Sequence, residues 1–240
     1  MADTTLPSAT PHILLIGASR GIGLAMAEEF LRRDWQVTAT IRAARSPALD
    51  NLSEHYPHRL TIEQLDITDR TQLADLHTRL ADKHFDVLFI NAGSANRNQD
   101  DTIAEVSSEE FAQLMITNAL SPMRTIEALQ DRVTAQGLIG IMSSGQGSIA
   151  NNTKGGKEVY RGTKAALNQY MRSYAARAAE VHPARSLLLL APGWIRTALG
   201  GDNAVFSLEE TVPDIVNTLV SRLGKPGLQF LDRFGKVVAW

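Results

Sequence analysis

The stretch His12–Gly23, HILLIGASRGIG, joins an apolar run to a glycine-rich turn and then to a helical pattern. His12–Gly17 reads as a strand, and Gly21–Arg33 as a helix with Ile22, Met26, Phe30 and Leu31 on one face. Between them Gly17-Ala18-Ser19-Arg20-Gly21-Ile22-Gly23 spaces its glycines as GxxxGxG rather than GxGxxG. Free backbone N–H groups and the positive helix end attract a pyrophosphate at such a place. Gly17 permits the tight turn, Gly21 lets the backbone approach the phosphates, and Gly23 lets the helix press on the sheet. A glycine turn without a ligand is written in the same letters. Gly17-Ala18-Ser19-Arg20-Gly21 also matches GxSxG, the nucleophile elbow of a hydrolase. Position argues against that match, because an elbow needs strands before it and only a tail precedes His12. A triad also needs a later acid and then a histidine, and the last histidine, His182, falls in a segment that reads as a helix end.

Outward from this turn the same alternation recurs. Trp35–Ile41, Leu60–Leu65, Asp86–Ile90, Leu138–Met142, Ser186–Ala191 and Leu228–Leu231 are further short apolar runs. They do not alternate apolar with polar, as suits strands buried on both faces. Helical patterns lie between them at Asp69–Asp82, from Ser107 past Asn118, at Tyr160–Ala179 and at Ser207–Leu223, where Pro213 leaves the start open. Ser107-x-x-Glu110 reads as a capping box. The expectation is an α/β fold: a single-domain Rossmann fold, a doubly wound seven-stranded parallel sheet with helices on both faces. No linker interrupts it, so one domain is expected over residues 1–240, with 1–10 a flexible N-terminal tail. Ligands of such folds sit beyond the carboxyl ends of the strands.

The 240 residues are 44% hydrophobic and 21% charged, the composition of a globular chain. There is no cysteine, which excludes disulfides, a thiolate nucleophile and Cys-ligated metal. The formal charge of −2 favours neither nucleic acid nor an anionic membrane. Apolar runs such as Leu187–Ala191 are far short of the ~20 residues a bilayer requires. The first ten residues lack a basic region followed by an apolar core, so a cytoplasmic protein is expected. The six histidines suggest no metal set; His55 and His58, beside Pro57, read as a surface loop.

An acidic residue about 20 positions after the glycine loop marks NAD binding. Here Thr38-Ala39-Thr40-Ile41-Arg42 holds no acid. Arg42 and Arg20 could flank a 2′-phosphate, with Arg45 a weaker third, although solvated surface arginines fit as well. NADP is therefore expected over NAD. Tyr160 and Lys164 stand four apart on one helical face, where an ammonium would favour the phenolate. The fifth run ends in Ser143-Ser144, where a hydroxyl could hold a carbonyl oxygen as it gains charge, or simply make a turn. Asn118 stands inside a predicted helix, an unfavourable place that invites a functional or a packing explanation. Trp194 fits a wall of the nicotinamide pocket or the core equally.

Together these residues resemble the short-chain dehydrogenase/reductase family over nearly the whole chain. Gly17, Ser19, Arg20, Gly21, Ile22 and Gly23 match its cofactor loop, and Asn91-Ala92-Gly93 matches its NAG motif. Asp66, with Ile67, matches the acid that contacts the adenine. Asn118, Ser144, Tyr160 and Lys164 match its catalytic tetrad. Pro192, Gly193, Trp194, Ile195 and Thr197 match the segment that cradles the nicotinamide. Within the family the chain looks most like carbonyl reductases of the sniffer type, whose relatives include C-factor signalling proteins. Ser144 to Tyr160 spans 16 residues, against about 13 in many members. Counting back 13 lands on Gly147, so Ser143 and Ser148 remain alternatives to Ser144, and Asn151–Lys157 reads as an inserted turn beside the substrate mouth.

The resemblance implies hydride transfer from NADPH to the carbonyl of a small ketone or aldehyde. Tyr160 would give the proton, Ser144 would hold the oxygen, Lys164 would bond the nicotinamide ribose and keep the phenol acidic, and Asn118 would hold a water. Residues 196–206 would form a short lid with Gly200-Gly201 as its hinge. Two other readings stay open: a cofactor-binding signalling protein of C-factor type with little turnover, and a 3-oxoacyl thioester reductase using Arg97, Lys154, Lys157 and Arg161 as a basic entrance. A homodimer or homotetramer, through Leu120–Leu129 and Ala165–Ala179, follows from the family alone.

Overall fold

The computed structural model describes residues 10–240, so the expected flexible tail lies, except for Thr10, outside the described residues. Seven strands appear in chain order: β1 (His12–Ile16), β2 (Gln36–Ile41), β3 (Leu60–Gln64), β4 (Phe85–Ile90), β5 (Val133–Met142), β6 (Ser186–Ala191) and β7 (Gly227–Asp232). They form one parallel sheet in the order β3-β2-β1-β4-β5-β6-β7. The chain winds outward from β1 to β3, then returns to place β4 beside β1, with Ile16 opposite Ile90 and Thr40. The winding reverses there, and a crevice opens beyond the carboxyl ends of β1 and β4.

The inner strands β1, β4, β5 and β6 are buried on both faces because successive side chains enter different cores, whereas the edge strands β3 and β7 keep exposed positions. Ile13, Leu15, Val87 and Phe89 join one core, under α1 (Gly21–Arg32) and α7 (Leu208–Ser221). Leu14, Ile16, Leu88 and Ile90 join the other, under α3 (Arg70–Arg79), α5 (Ser121–Leu129) and α6 (Glu158–Val181). Burying each such side chain is worth roughly 1.5–3 kcal/mol relative to exposure, before the entropy of ordering it. That is why apolar runs without alternation were sufficient to mark the strands.

Several boundaries differ from the sequence expectation. A further helix, α2 (Pro47–His55), buries only Leu49 and so has almost no apolar period. His55 is its last residue rather than part of a loop. The expected long helix after Ser107 is divided: α4 (Ser108–Met115) passes into a π turn at Ile116–Leu120 and then into α5. Ser107 caps α4 by accepting from Glu110 N, but the Glu110 carboxylate accepts from Arg97 N instead of closing the box. The full capping box occurs at Ser207 and Glu210, which starts α7 at Leu208 and leaves Pro213 inside it. No helix among the described residues is long and apolar enough to cross a membrane.

Candidate active site

The glycine turn closes tightly over the end of β4. Gly17 has φ +89°, and a Cβ there would stand 2.9 Å from Ala92 Cβ. Its amide donates to Thr40 Oγ1 at 3.0 Å, which ties the turn to β2. At Gly23 a Cβ would lie 2.1 Å from Gly17 O, so α1 presses directly on the turn. Asn91 Nδ2 donates to that same Gly17 oxygen at 2.8 Å. Gly21 faces the segment after β6, since its Cβ would be 3.5 Å from Thr197 Cγ2. The turn, Asn91-Ala92 and Thr197 therefore border one cradle, open to an anion at the start of α1. Ser19 is exposed at its rim, whereas His182 caps the far end of α6. These two cannot form a hydrolase triad.

Arg20, the N-cap of α1, and Arg42, just after β2, are exposed, and neither joins an ion pair among the described residues. Arg45, in contrast, pairs with Asp50 at 3.1 Å. Asp66 lies near Arg42. Burial raises the Asp66 carboxyl, but the Thr68 hydroxyl and amide and the Arg42 charge outweigh that and leave it below its ordinary value. Ile67 is buried beside it.

The four residues of the expected catalytic set converge beyond β4 and β5. A Cβ on Gly93 would stand 3.5 Å from both Asn118 Oδ1 and Lys164 Nζ. Lys164 is buried and donates to Met142 O at 3.0 Å, at the end of β5. Burial lowers it from its ordinary value to about 8. Its ammonium is 5.9 Å from the Tyr160 ring centre. The expected lowering of Tyr160 by this ammonium is absent here: burial pushes the phenol upward, and only the Ser144 hydroxyl opposes the shift. Desolvation outweighs a charge that is turned toward the Met142 carbonyl.

The competing serines are occupied. Ser143 is buried and donates to Asn168 Oδ1 at 2.6 Å, while Ser148 Oγ accepts from Asn151 N at 3.1 Å. Ser144, two residues beyond β5, is in extended conformation, accepts from Gln146 N, and is the serine beside the Tyr160 phenol. Gly147, reached by the 13-residue spacing, packs on Lys164, with a would-be Cβ 2.9 Å from its backbone carbon. Asn118 sits in the π turn, fully buried. A one-residue bulge of this kind turns a side chain off the regular helical face. Asn118 Nδ2 donates to Ser94 O at 2.8 Å and to Thr163 Oγ1 at 3.0 Å, and its Oδ1 accepts from Ser94 N at 2.8 Å. Thr163 in turn donates to Tyr160 O. Sequence reading missed Ser94, Thr163 and Asn168; Thr163, three residues after Tyr160, and Asn168, four after Lys164, carried a helical-spacing signal, and Ser94 carried none.

Beyond β6, Pro192 O accepts from Arg233 Nη1 at 3.2 Å, and Ile195 is buried. Arg233 is another residue that sequence reading missed. Its guanidinium lies 3.9 Å from the Phe206 ring centre and so braces the lid. Trp194 is 48% exposed, which rules out the core role. Its Nε1 donates to Gly200 O at 2.7 Å. From α6, Arg161 donates to the Gly155 and Gly156 carbonyls of the 151–157 turn, and Lys157 Nζ donates to Gln99 Oε1. Two of the four cations of the expected basic entrance are thereby spent within the protein. No group of three or more His, Asp or Glu able to hold a metal occurs among the described residues.

A glycine cradle at the reversal of a parallel sheet, beside a Ser–Tyr–Lys group, defines a dinucleotide-binding α/β oxidoreductase. A family model described as enoyl-(acyl carrier protein) reductase matches residues 17–221. The chain belongs to the short-chain dehydrogenase/reductase family. It is 30% identical to the C-signal protein of Myxococcus xanthus over 158 residues, 65% of this chain and 92% of that one. A short-chain dehydrogenase/reductase structure from Burkholderia multivorans with bound NADP is 55% identical and superposes with a TM-score of 0.93, covering 96% of this chain and 100% of that one. A carbonyl reductase from Pseudomonas aeruginosa in complex with NADP is 36% identical, with a TM-score of 0.88 over 97% of this chain and 100% of that one. The carbonyl reductase Sniffer of Drosophila melanogaster is 27% identical, with a TM-score of 0.87 over 96% of this chain and 100% of that one. The resemblance to sniffer-type reductases therefore holds in both sequence and fold.

Proposed function

We propose that the protein is an NADPH-dependent reductase of small ketones or aldehydes, cytoplasmic in location. The observation that carries this is one linked group: Ser144 bonds the Tyr160 phenol, Lys164 stands under the Tyr160 ring, and Lys164 meets Asn118 at Gly93, at the mouth of the glycine cradle. Arg20, Arg42 and Asp66 support NADPH: two unpaired guanidinium groups suit a 2′-phosphate, and Asp66 suits the adenine. The glycine loop, Asn91–Gly93 and Pro192–Thr197 would hold the pyrophosphate and nicotinamide. NADPH supplies a hydride when bound. The chain supplies the rest. Ser144 holds the substrate oxygen, and Tyr160, kept protonated by burial, gives it a proton. Lys164 bonds the nicotinamide ribose. Both amide donors of Asn118 are used, so a water linking Lys164 to solvent rests on its oxygen atoms.

NADPH oxidation against a panel of ketones, aldehydes, quinones and 3-oxoacyl thioesters tests this. Tyr160→Phe should lower kcat about 10²- to 10⁴-fold while NADPH still binds. Near-normal turnover would sink the assignment. The C-signal relative favours a second reading, a cofactor-binding signalling protein with little turnover. Wild-type protein that binds NADPH but reduces nothing on the panel decides for it. The thioester reading loses ground because Lys157 and Arg161 are engaged internally. Exposed Phe111, Leu120 and Tyr170, on α4, the π turn and α6, support a homo-oligomer through these helices; a monomeric mass by light scattering overturns it.

A further inference from the structure

Gln99 lies in the connection from β4 to α4, half-buried, with no motif to mark it. Its amide spans two other connections. Nε2 donates to Leu199 O at 3.1 Å, in the segment after β6. Its Oε1 accepts from Lys157 Nζ at 3.1 Å, three residues before Tyr160 on the β5 side. The connections after β4, β5 and β6 are thus joined through one side chain, beyond the strand ends where the Ser–Tyr–Lys group stands. The tip of the lid is held from its other side as well, since Trp194 Nε1 donates to the next carbonyl, Gly200 O. Gly200 is drawn in closely enough that a Cβ would fall 2.0 Å from Ile195 O. Below the tip, Arg196 N bonds Phe206 O at 2.8 Å and Phe206 N bonds Trp194 O at 3.1 Å. The base of the lid is therefore fixed by its own backbone; the tip is folded on Thr197 by the Gly200 and Gly201 amides and tied outward by two side-chain donors, Gln99 and Trp194.

We propose that Gln99 is a positioning residue that holds the Leu199–Gly200 lid tip over the substrate cleft, with Lys157 fixing the orientation of its amide. This rests on the reductase reading for its kinetic part only. An amide is required in this place. It must donate to a carbonyl on one side and accept from an ammonium on the other, and a carboxylate of the same shape can do only the second. The lid is then a held element rather than a free hinge, and its tip shapes the space beside Tyr160.

The test compares wild type, Gln99→Glu and Gln99→Ala by amide hydrogen exchange of residues 196–206 and by steady-state kinetics with the best carbonyl of the panel. Losing one such bond should speed exchange at the lid tip about three- to tenfold and raise KM for the carbonyl by a similar factor. The kcat should stay within about twofold, and NADPH affinity should be unchanged. Gln99→Glu should match Gln99→Ala in both readouts, because it fills the same volume but cannot donate to Leu199 O. A Gln99→Glu protein indistinguishable from wild type overturns the proposal, and so does faster lid exchange with an unchanged KM. Exchange needs no turnover, so a protein inactive on every carbonyl overturns the reductase reading while exchange still decides whether Gln99 holds the tip.

Discussion

Burial moves Tyr160 and Lys164 in opposite directions, and the pH profile should reveal it. Both shifts favour the neutral form: the phenol rises above its ordinary value, and the ammonium falls to about 8. Tyr160 therefore keeps its proton throughout the neutral and mildly alkaline range. Lys164 loses its charge first as pH rises. The expected kcat/KM for NADPH is flat below neutrality and declines above about pH 8. A profile flat to pH 10 would show that the Lys164 proton is not required. At this scale the sequence was informative about identity and weaker about state. Tyr160, Lys164 and the glycines could be named from spacing. The direction of the Tyr160 shift could not, because it depends on how deep the ring lies and on where the Lys164 ammonium turns. Gln99, Ser94 and Arg233 carried no signal at all, since their partners are distant in the chain.

The strand–turn–helix unit of β1 and α1 is bound together by close approach. A methyl on Gly23 would meet Gly17 O at 2.1 Å and Asn91 Nδ2 at 2.6 Å. Both are held by β1 and β4 and cannot yield cheaply. Gly23→Ala should cost about 1–3 kcal/mol of stability, read as a lower urea midpoint, and should weaken NADPH binding as the turn is pushed open. An unchanged midpoint would mean that α1 does not bear on the turn. The seven strands were legible as short apolar runs, and α1, α3, α6 and α7 by their apolar period. The short α2 was not, because it buries only Leu49. Nor was the π turn, which inserts no recognisable residue type. It shifts Asn118 by one residue's rotation, and in that place the side chain bonds Ser94 and Thr163.

For the whole molecule, the cradle draws on the connections after β1, β4 and β6, so an occupied cradle should stiffen the fold as a unit. NADPH at about 100 times its Kd should add about 2.7 kcal/mol, which for a chain of this size raises Tm by roughly 5–11 °C. NADH at the same concentration should raise it less. Arg42→Ala should remove that difference, if its guanidinium reads the 2′-phosphate. Equal shifts by both cofactors in the wild type would remove the case for NADPH. By itself the sequence determined the strand–helix alternation, the glycine turn and the residue types of the catalytic group. Burial on both faces of a parallel sheet writes itself into the chain as apolar runs, and backbone turns write themselves as glycine. Only the tertiary structure decided which serine faces Tyr160, that Arg45 is spent on Asp50, and that Gln99 links three connections. Those choices are competitions among hydrogen-bond partners far apart in sequence, and folding alone brings the competitors within reach of one another.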